Sequence, residues 1–404
     1  MLACAHARSE SAPKLGHGMP LFDDDPRTLR PWLIEHLCPF WAKRITDPAG
    51  GFFESLESNG HAVRDARRTT LVQARLTYVF SHAYLISGDD TFRQAAKHGL
   101  AFLTRTCRAP DGGWFRAVSV DGNVLDNSRD AYDHAFALLA LAWYYRATGD
   151  VAAVQLADGT WSFMQQRLTD PRHGGFLEDY APARPGRKLP RRQNPHMHLL
   201  EAVLAMHVAT AEKNWLRRAG ALVYLFKTRF FDPQTGALAE FFGENWSPAP
   251  GAEGSSREPG HQFEWVWLLY EFHRHTQDNS VIPYADRLFA FGSDFGIERG
   301  ETLPGAVFDG VDAQGALVAP TKLLWPQTEY IKACVARAEF LNDDAARGAI
   351  TSHLALIAKS FMKPDGASWH NQLTRDGTPI PSVTPARLLY HLFMAVAEAD
   401  RVLS

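Results

Sequence analysis

The chain has 404 residues, of which 46% are hydrophobic, so it can bury one large core or two ordinary ones. Its 42 basic and 45 acidic side chains give a net charge of -3, which argues against nucleic acid or an anionic membrane as a partner. Four scattered cysteines without a Cys-x-x-Cys pair predict a reduced, cytoplasmic protein rather than a disulfide or zinc framework. We therefore expect a small neutral ligand.

The two ends of the chain set its predicted domain organisation. Residues 1–20 contain no uninterrupted apolar stretch, so they predict an N-terminal extension rather than a signal peptide. No run of 18 apolar residues occurs in the sequence, and a helical membrane span is therefore not expected. Residues 21–404 contain no linker and are predicted to form a single catalytic domain.

A turn phrase of Asp-Pro and Gly-Gly followed by an aromatic residue recurs along the chain at intervals of roughly 60 residues. Clear copies occupy residues 47–52, 110–115 and 170–176, and a weaker copy occupies 232–236. Degenerate copies follow at 305–310 and 363–366. Six copies in one chain predict six structural units.

Apolar residues at three- and four-residue spacing predict helices between the turns, at 70–86, 132–147, 196–211, 262–275, 328–341 and 388–403. A second helical run precedes each, such as 92–106 or 151–167. One unit is thus a helix pair, and the short aromatic segments after each turn are expected to pair as small hairpins. We predict an all-α fold, an (α/α)6 barrel with inner and outer rings of six helices and short β-hairpins at the active-site end. An α-solenoid is the competing architecture.

The stretch from Glu258 to Trp267 carries the first candidate for chemistry. His261 and Glu264 are one helical turn apart and share a face, so the carboxylate can hold the imidazole in one tautomer and raise its basicity. Such a pair suits proton transfer near neutral pH. The alternative is a histidine at a helix start that a neighbouring carboxylate merely satisfies, which is the commoner meaning of an isolated His-x-x-Glu.

The third unit places three polar groups on one stripe of an apolar helix. Asn194, His198 and Glu201 fall at i, i+4 and i+7, whereas His196 points elsewhere. A satisfied buried histidine would explain His198 alone equally well. The coincidence of three polar residues favours a site.

The remaining units each place a polar or aromatic residue at or near the start of an inner helix. Arg75 interrupts an apolar run and needs either a carboxylate partner or a substrate oxygen, and the sequence leaves both open. The other candidates are Tyr132, Trp325, Glu329, Arg387 and His391. Trp325 is an aromatic side chain suited to a sugar face.

No metal or cofactor motif emerges from the sequence. His196 and His198 could suggest a metal site, but positions i and i+2 diverge on a helix and no third ligand has the right spacing. The Gly-Gly turns precede short aromatic strands rather than helix starts, unlike phosphate-binding loops. We therefore predict no metal and no cofactor.

Four motifs taken together are highly specific: Asn194-Pro-His-Met-His198-Leu-Leu-Glu201, Pro259-Gly-His261-Gln-Phe-Glu264-Trp, Leu-Trp325-Pro-Gln-Thr-Glu329 and Tyr390-His391. In this combination and order the chain resembles the N-acylglucosamine 2-epimerase superfamily, and within it the bacterial D-mannose isomerase branch. The resemblance runs from about residue 31 to residue 399.

The resemblance implies an (α/α)6 barrel that interconverts D-mannose and D-fructose, and also D-lyxose and D-xylulose, through a cis-enediol without metal. It implies that His261 and His391 are the general acid and base, and that His198 is similar to a third family histidine at the bottom of the pocket. Positions that contact the sugar or support the site match Arg75, Tyr132, Asn194, Glu264 and Trp325.

Arg387 departs from the pattern, since close sugar isomerases resembling this chain carry glutamine there, and the preferred aldose stays open. A sugar 2-epimerase acting on N-acylglucosamine, cellobiose or mannose is the alternative activity. A glycoside hydrolase on the same barrel would need two inward carboxylates, with Glu201, Glu264 and Glu329 available. A non-catalytic sugar-binding protein is a further alternative. We expect a monosaccharide substrate and a monomer or homodimer.

Overall fold

The computed structural model describes residues 26–65, 67–182 and 190–404. The predicted extension at residues 1–20 lies outside them.

In these described ranges, twelve long helices alternate between an outer and an inner position: α1 (29–45), α2 (Thr70–Ser87), α3 (Asp90–Phe102), α4 (Ala131–Thr148), α5 (Val151–Arg167), α6 (Asn194–Thr210), α7 (Lys213–Leu225), α8 (Pro259–Thr276), α9 (Ile282–Phe295), α10 (Leu324–Leu341), α11 (Asp344–Ser360) and α12 (Leu389–Leu403). A short helix, Gly251–Ser255, precedes α8. Short π-helical turns extend α3 and α7 through Leu103–Cys107 and Phe226–Phe230.

The even-numbered helices form the inner ring and are buried on nearly every face. The odd-numbered helices form the outer ring and bury one apolar stripe. All six predicted inner helices are confirmed, with ends that differ by a few residues. Pro259 and Gly260, which precede the helix predicted at 262–275, form the first turn of α8. Proline suits this position because the first N–H groups of a helix have no acceptor within the helix, so the N–H that proline lacks is not needed. Within the described ranges, no helix is long and apolar enough to cross a membrane.

The last unit closes on the first. Helix α12 packs against both α10 and α2, which completes the inner ring. The strand Ser55–Leu56 pairs with Thr384–Pro385, and Trp41 in α1 donates a 2.8 Å hydrogen bond to the carbonyl of Ala367. The (α/α)6 barrel is therefore the fold, and the open solenoid is excluded.

Short strands surround the end of the barrel at which the inner helices begin. The predicted hairpins within one unit account for only some of these strand pairs, because most pairs join neighbouring units. The strand just before an inner helix pairs with the strand that follows the recurring turn of the next unit, and these pairs form one rim of the barrel. The sheets are Arg67–Thr69 with Ala117–Ser119 and Val124–Asp126, Arg129–Asp130 with Asp179–Tyr180, Arg191–Arg192 with Phe241–Phe242, Ser256–Arg257 with Gly310–Asp312 and Leu317–Ala319, Lys322–Leu323 with Gln372–Leu373, and Phe231–Asp232 with Ala237–Leu238.

Each of the first five recurring turns is fixed to its own inner helix by a polar side chain. In the first unit the Gln73 amide accepts from the Phe52 N–H at 2.7 Å and donates to its carbonyl at 2.9 Å. Equivalent contacts in the next four units use His134, His196, Gln262 and Gln327. His196 thus anchors a turn, in agreement with the prediction that it points away from the polar stripe.

An ion pair adds a second anchor to the turn in each of the first four units. The turn aspartate meets an arginine that lies just before the inner helix, as in Arg68 with Asp47 at 2.6 Å and Arg129 with Asp111 at 2.9 Å. The third and fourth units repeat it with Asp170 and Asp232. These contacts fix where the first turn of each inner helix lies, and the candidate site is built from those first turns.

We predict that Gln73→Leu lowers the free energy of unfolding by about 1–3 kcal/mol, because it leaves the buried backbone N–H and C=O of Phe52 unpaired. Denaturant unfolding followed by circular dichroism measures the change. Gln166→Leu is the control, since that glutamine is exposed on α5. Equal stability of both variants would contradict the anchoring role.

Candidate active site

A polar cavity of about 170 Å³ opens at the end of the barrel where the inner helices begin. This volume lies below the roughly 300–1,000 Å³ of pockets for drug-sized ligands and suits a smaller molecule. Hollows of about 640 and 680 Å³ lie on the outer helices but contain none of the predicted site residues. The cavity is lined by Arg75, Tyr132, Asn194, His198, Glu258, His261, Glu264, Leu323, Trp325, Asn371, Arg387, Leu388 and His391.

Two predicted sugar-contacting residues do not line this cavity. Glu201 lies behind His198, with a carboxylate oxygen 3.3 Å from its Nδ1, and also accepts from the Tyr390 hydroxyl at 2.5 Å. Glu329 lies behind His391. Direct sugar contact by these two residues stays a prediction, since the Glu201 carboxylate is in contact with His198 and Tyr390 and the Glu329 carboxylate with His391 and Lys332. All other predicted site residues line the cavity.

His261 is held in place by two carboxylates. Its Nδ1 lies 2.9 Å from Glu240 Oε2 and 3.5 Å from Glu258 Oε2. Its Nε2 lies 3.2 Å from Nδ2 of Asn194, whose buried Oδ1 has no partner, so a doubly protonated ring requires the amide turned over, with Oδ1 accepting from Nε2–H. Burial of the ring opposes its charge, but the negative charges of Glu240 and Glu258 outweigh that and raise the pKa of His261 to about 10. His261 is therefore protonated at neutral pH.

Glu264 is not the partner of His261, contrary to the sequence prediction. Its Oε1 lies 3.8 Å from His198 Nδ1 and 3.9 Å from Lys332 Nζ, deeper in the barrel. Sharing a helical face brings Glu264 near His261, but Glu240, from the segment between the strands Ala237–Leu238 and Phe241–Phe242, is the carboxylate in contact with Nδ1. Burial, with the nearby charge of Glu329, raises the pKa of Glu264 well above its usual range. A neutral Glu264 carboxyl facing the cavity can donate a hydrogen bond.

His391 has the opposite electrostatic setting. Its Nδ1 lies 2.8 Å from Glu329 Oε1, which fixes the tautomer with the proton on Nδ1 and a free lone pair on Nε2. Burial, reinforced by the positive charges of Arg75 and Lys332, lowers the pKa of His391 well below its usual range. His391 is therefore a neutral imidazole that can accept a proton, in the same cavity as the protonated His261.

His198 lies at the floor of the cavity. Burial lowers its pKa to about 4 although Glu201 favours the charged form. Its ring packs edge-on against Tyr132 and lies 4.6 Å from the ring of Phe136, measured between centroids. The ring is neutral at pH 7 and is held rigidly.

Arg75 is buried without a carboxylate partner among the described residues. It donates to the Tyr132 hydroxyl at 2.7 Å and to the Arg387 carbonyl at 3.0 Å, and its guanidinium carbon lies 4.1 Å from the centre of the Phe136 ring. A buried guanidinium that has only neutral acceptors is available to a developing negative charge on a bound ligand. The structure thus favours the second of the two roles that the sequence left open.

Trp325 lies close to both catalytic candidates. Its ring centroid is 4.8 Å from that of His261 and 6.0 Å from that of His391. Gly260 permits this position, because a Cβ there would lie 2.5 Å from the Trp325 ring. A flat aromatic wall next to two imidazoles suits the face of a sugar ring or an open-chain sugar.

Three groups of side chains bring donor atoms within 4.8 Å of one another: His198 with Glu201 and Glu264, His261 with Glu240 and Glu258, and His391 with Glu264 and Glu329. In each group the histidine Nδ1 lies within 3.3 Å of a carboxylate oxygen. These contacts are those of carboxylate–histidine hydrogen bonds, which orient the ring. The absence of a metal or cofactor remains a prediction.

Sequence reasoning missed three residues that set the charges of the site: Glu240, Glu258 and Lys332. Glu240 had a detectable signal, since it follows the fourth turn at the position that Glu54 and Glu178 occupy in the first and third units. In those units the carboxylate accepts a backbone N–H before the inner helix. Lys332 lies one turn after Glu329 in an apolar helix, a spacing that itself suggests an ion pair.

We predict that Glu240→Gln lowers the pKa of His261 by about 1–3 units, because a carboxylate 2.9 Å from the ring is replaced by a neutral amide. An NMR titration of the His261 ring carbon measures the shift. Glu54→Gln is the matched control, because it occupies the same repeat position but binds Thr69. An unchanged His261 titration in Glu240→Gln would show that Glu240 does not set its charge.

Known proteins are similar to this chain in sequence and in fold. The model of the N-acylglucosamine 2-epimerase (GlcNAc 2-epimerase) family matches residues 51–395. A mannose-6-phosphate isomerase of Rhizobium meliloti (strain 1021) is 34% identical over 91% of this chain and 95% of its own length. A cellobiose 2-epimerase of Eubacterium cellulosolvens is 26% identical over 89% and 94%.

A D-mannose isomerase of Thermobifida fusca is 27% identical over 88% of this chain and 91% of its own length. A crystal structure of a D-mannose isomerase superposes with a TM-score of 0.84 at 21% identity, covering 97% of this chain and 100% of that one. At that identity the superposition supports the fold, and the sequence matches support the enzyme class. This chain belongs to the N-acylglucosamine 2-epimerase family and is a sugar isomerase or epimerase.

Proposed function

We propose that this enzyme is an aldose–ketose isomerase that interconverts D-mannose and D-fructose, with D-lyxose and D-xylulose as further substrates, by proton transfer between histidines. The proposal rests on two imidazoles that line one cavity, each with a carboxylate at Nδ1, in surroundings that lower the pKa of His391 and raise that of His261. Isomerisation through a cis-enediol needs one group that accepts a proton from carbon and one that donates a proton to oxygen.

The first step belongs to His391. Its Nε2 lone pair removes the proton from C2 of the open-chain aldose, and the resulting charge on the ring is balanced by Glu329 at Nδ1. The electron pair of the C2–H bond forms the C1–C2 double bond, and the C1 carbonyl oxygen becomes negative. His261 donates a proton to that oxygen and is restored later from O2.

The second step returns the proton from His391 to C1, while the O2 hydroxyl loses its proton to His261 and becomes the ketone carbonyl. The number of protons on the two rings is then the same as at the start. Arg75 stabilises the negative enediolate oxygen, and such electrostatic stabilisation can exceed the roughly 10²- to 10⁴-fold contribution of one acid–base group. Neutral His198 and the Glu264 carboxyl hold hydroxyl groups at the cavity floor.

A sugar 2-epimerase is the second candidate, since cellobiose 2-epimerases are among the relatives of this chain. The same enediolate gives the epimer when a proton returns to C2 from the opposite face. His261 is the group that could deliver it, because it is a second imidazole that lines the same cavity as His391. The product distinguishes the two candidates.

The named substrate of the Rhizobium meliloti relative, mannose 6-phosphate, is a reason to test a phosphorylated aldose as well. Arg387 gives a structural reason, because its exposed side chain lies at the cavity and has no ion-pair partner among the described residues. A glycoside hydrolase is less well supported, because of the three carboxylates it would use, only Glu264 lines the cavity. We further propose a monosaccharide as substrate, without nucleic-acid or membrane partners, for a cytoplasmic monomer or homodimer.

The decisive experiment is proton NMR of the EDTA-treated enzyme with D-mannose in deuterium oxide, repeated with D-mannose 6-phosphate. We expect fructose to form with deuterium entering from solvent. Glucose as the main early product would assign the 2-epimerase activity instead. No reaction with either aldose, or with cellobiose and N-acylglucosamine, would refute the proposed reaction class.

We predict that His261→Asn and His391→Asn each fold normally and lower kcat by at least about 10²-fold, the usual contribution of one acid–base group. His61→Asn is the control, because that imidazole is exposed and outside the cavity. Turnover close to that of the wild type in either site variant would remove that histidine from the mechanism.

The rate should also fall at high pH. His261 acts as an acid, so kcat/KM is predicted to stay level through neutral pH and to decrease as the pH rises through the pKa of His261, about 10. A pH profile of mannose conversion between pH 5 and pH 11 tests this, as far as the enzyme stays folded by circular dichroism. A loss of activity centred near the ordinary histidine pKa of about 6.5 would contradict the assignment.

A further inference from the structure

Lys332 is a fully buried cation in the wall of the barrel, and burial of a lysine requires a compensating partner. Its Nζ lies 2.7 Å from Glu329 Oε2 and 3.9 Å from Glu264 Oε1, and it also lies over the Trp267 ring. The other oxygen of Glu329 is the one that holds His391 Nδ1. Lys332, Glu329 and His391 thus form a continuous chain of contacts from the helix wall to the cavity.

We propose that Lys332 is a positioning residue that neutralises Glu329 and thereby keeps His391 in the uncharged form able to accept a proton. This inference rests on the proposed function, in which His391 is the base. The two oxygens of Glu329 have different partners, since Oε2 pairs with the Lys332 ammonium and Oε1 orients the His391 imidazole.

The contrast with His261 shows what Lys332 contributes. Both histidines have a carboxylate within 2.9 Å of Nδ1. Beside His261 a second carboxylate, Glu258, lies within ion-pair distance. Beside His391 a cation takes that place, on the far side of Glu329. The third member thus shifts the proton affinities of two similar carboxylate–histidine pairs in opposite directions, and at His391 it adds to the effects of burial and Arg75.

Other charged and titratable groups face this pair from the neighbouring helices. They are Arg75 from α2, Tyr132 from α4, His198 and Glu201 from α6, Glu264 from α8 and Tyr390 from α12. Arg75 acts in the same direction as Lys332, whereas Glu201 opposes it. Burial opposes the charge on Lys332, but the carboxylates of Glu329 and Glu201 outweigh it, so the pKa of Lys332 is raised and it stays charged. The cation is thus permanent over the working range of the enzyme.

The test compares the pH profile of kcat/KM for mannose conversion in the wild type, Lys332→Met and Lys332→Met/Glu329→Gln. Loss of the cation leaves Glu329 uncompensated, so we expect the acid limb of Lys332→Met to move up by about 1–3 pH units. The double variant removes both charges and keeps an amide oxygen for Nδ1, so its acid limb should return towards that of the wild type. A profile of Lys332→Met that superimposes on the wild type would overturn the proposal.

Lys322→Met is the matched control. Lys322 is equally buried, but its partners are Glu298 at 3.7 Å and the carbonyl of Arg375, and it has no contact with a histidine. Loss of this lysine should lower stability without moving the acid limb. A shift of the acid limb in Lys322→Met as large as in Lys332→Met would mean that loss of any buried lysine has this effect, and would overturn the specific role of Lys332.

An NMR titration of the His391 ring separates this proposal from the proposed reaction, because it needs no turnover. His391 should take up a proton at higher pH in Lys332→Met than in the wild type, even if no sugar tested is a substrate. If Lys332→Met does not fold, Glu329→Gln is compared with the double variant. The retained cation should give Glu329→Gln the lower His391 pKa, and equal values would overturn the proposal.

Discussion

The site depends on the burial of charged groups that have only one another as partners. Two histidines share one small cavity, and each has a carboxylate at Nδ1. Because both rings are buried away from water, the low dielectric strengthens their interactions with nearby charges, and these charges determine the protonation of each ring. A second carboxylate beside His261 and a lysine behind His391 therefore produce an acid and a base from the same type of pair.

The barrel supplies these charges by repeating one unit. The first five turns are fixed to the start of their inner helices through one backbone N–H each. In several units an acidic side chain two residues after that N–H accepts a hydrogen bond from the backbone just before the inner helix. In the fourth unit this acidic residue is Glu240, which reaches both the N–H of Glu258 and the ring of His261. A structural contact of the repeat has thus acquired a role at the site. Stability and chemistry use the same position in different units.

The sequence was sufficient for the architecture, because six turn phrases and six apolar helices are local patterns. It also identified the stripe on α6 and the residues at the starts of α8, α10 and α12, since helical spacing places them on one face. The predicted carboxylate partner of His261 was wrong. Helical spacing pointed to Glu264, but Glu240 comes from a segment between two rim strands that only the folded barrel brings close. The pairing of neighbouring units at the rim was missed for the same reason, because it joins segments far apart in the sequence.

The central claim is that the two histidines differ in protonation at the same pH. Neutron diffraction from perdeuterated crystals at pH 7 tests it most directly, because deuterons on ring nitrogens become visible. The account predicts deuterons on both nitrogens of His261 and on Nδ1 alone of His391. A deuteron on Nε2 of His391, or a His261 ring that lacks one, would contradict it.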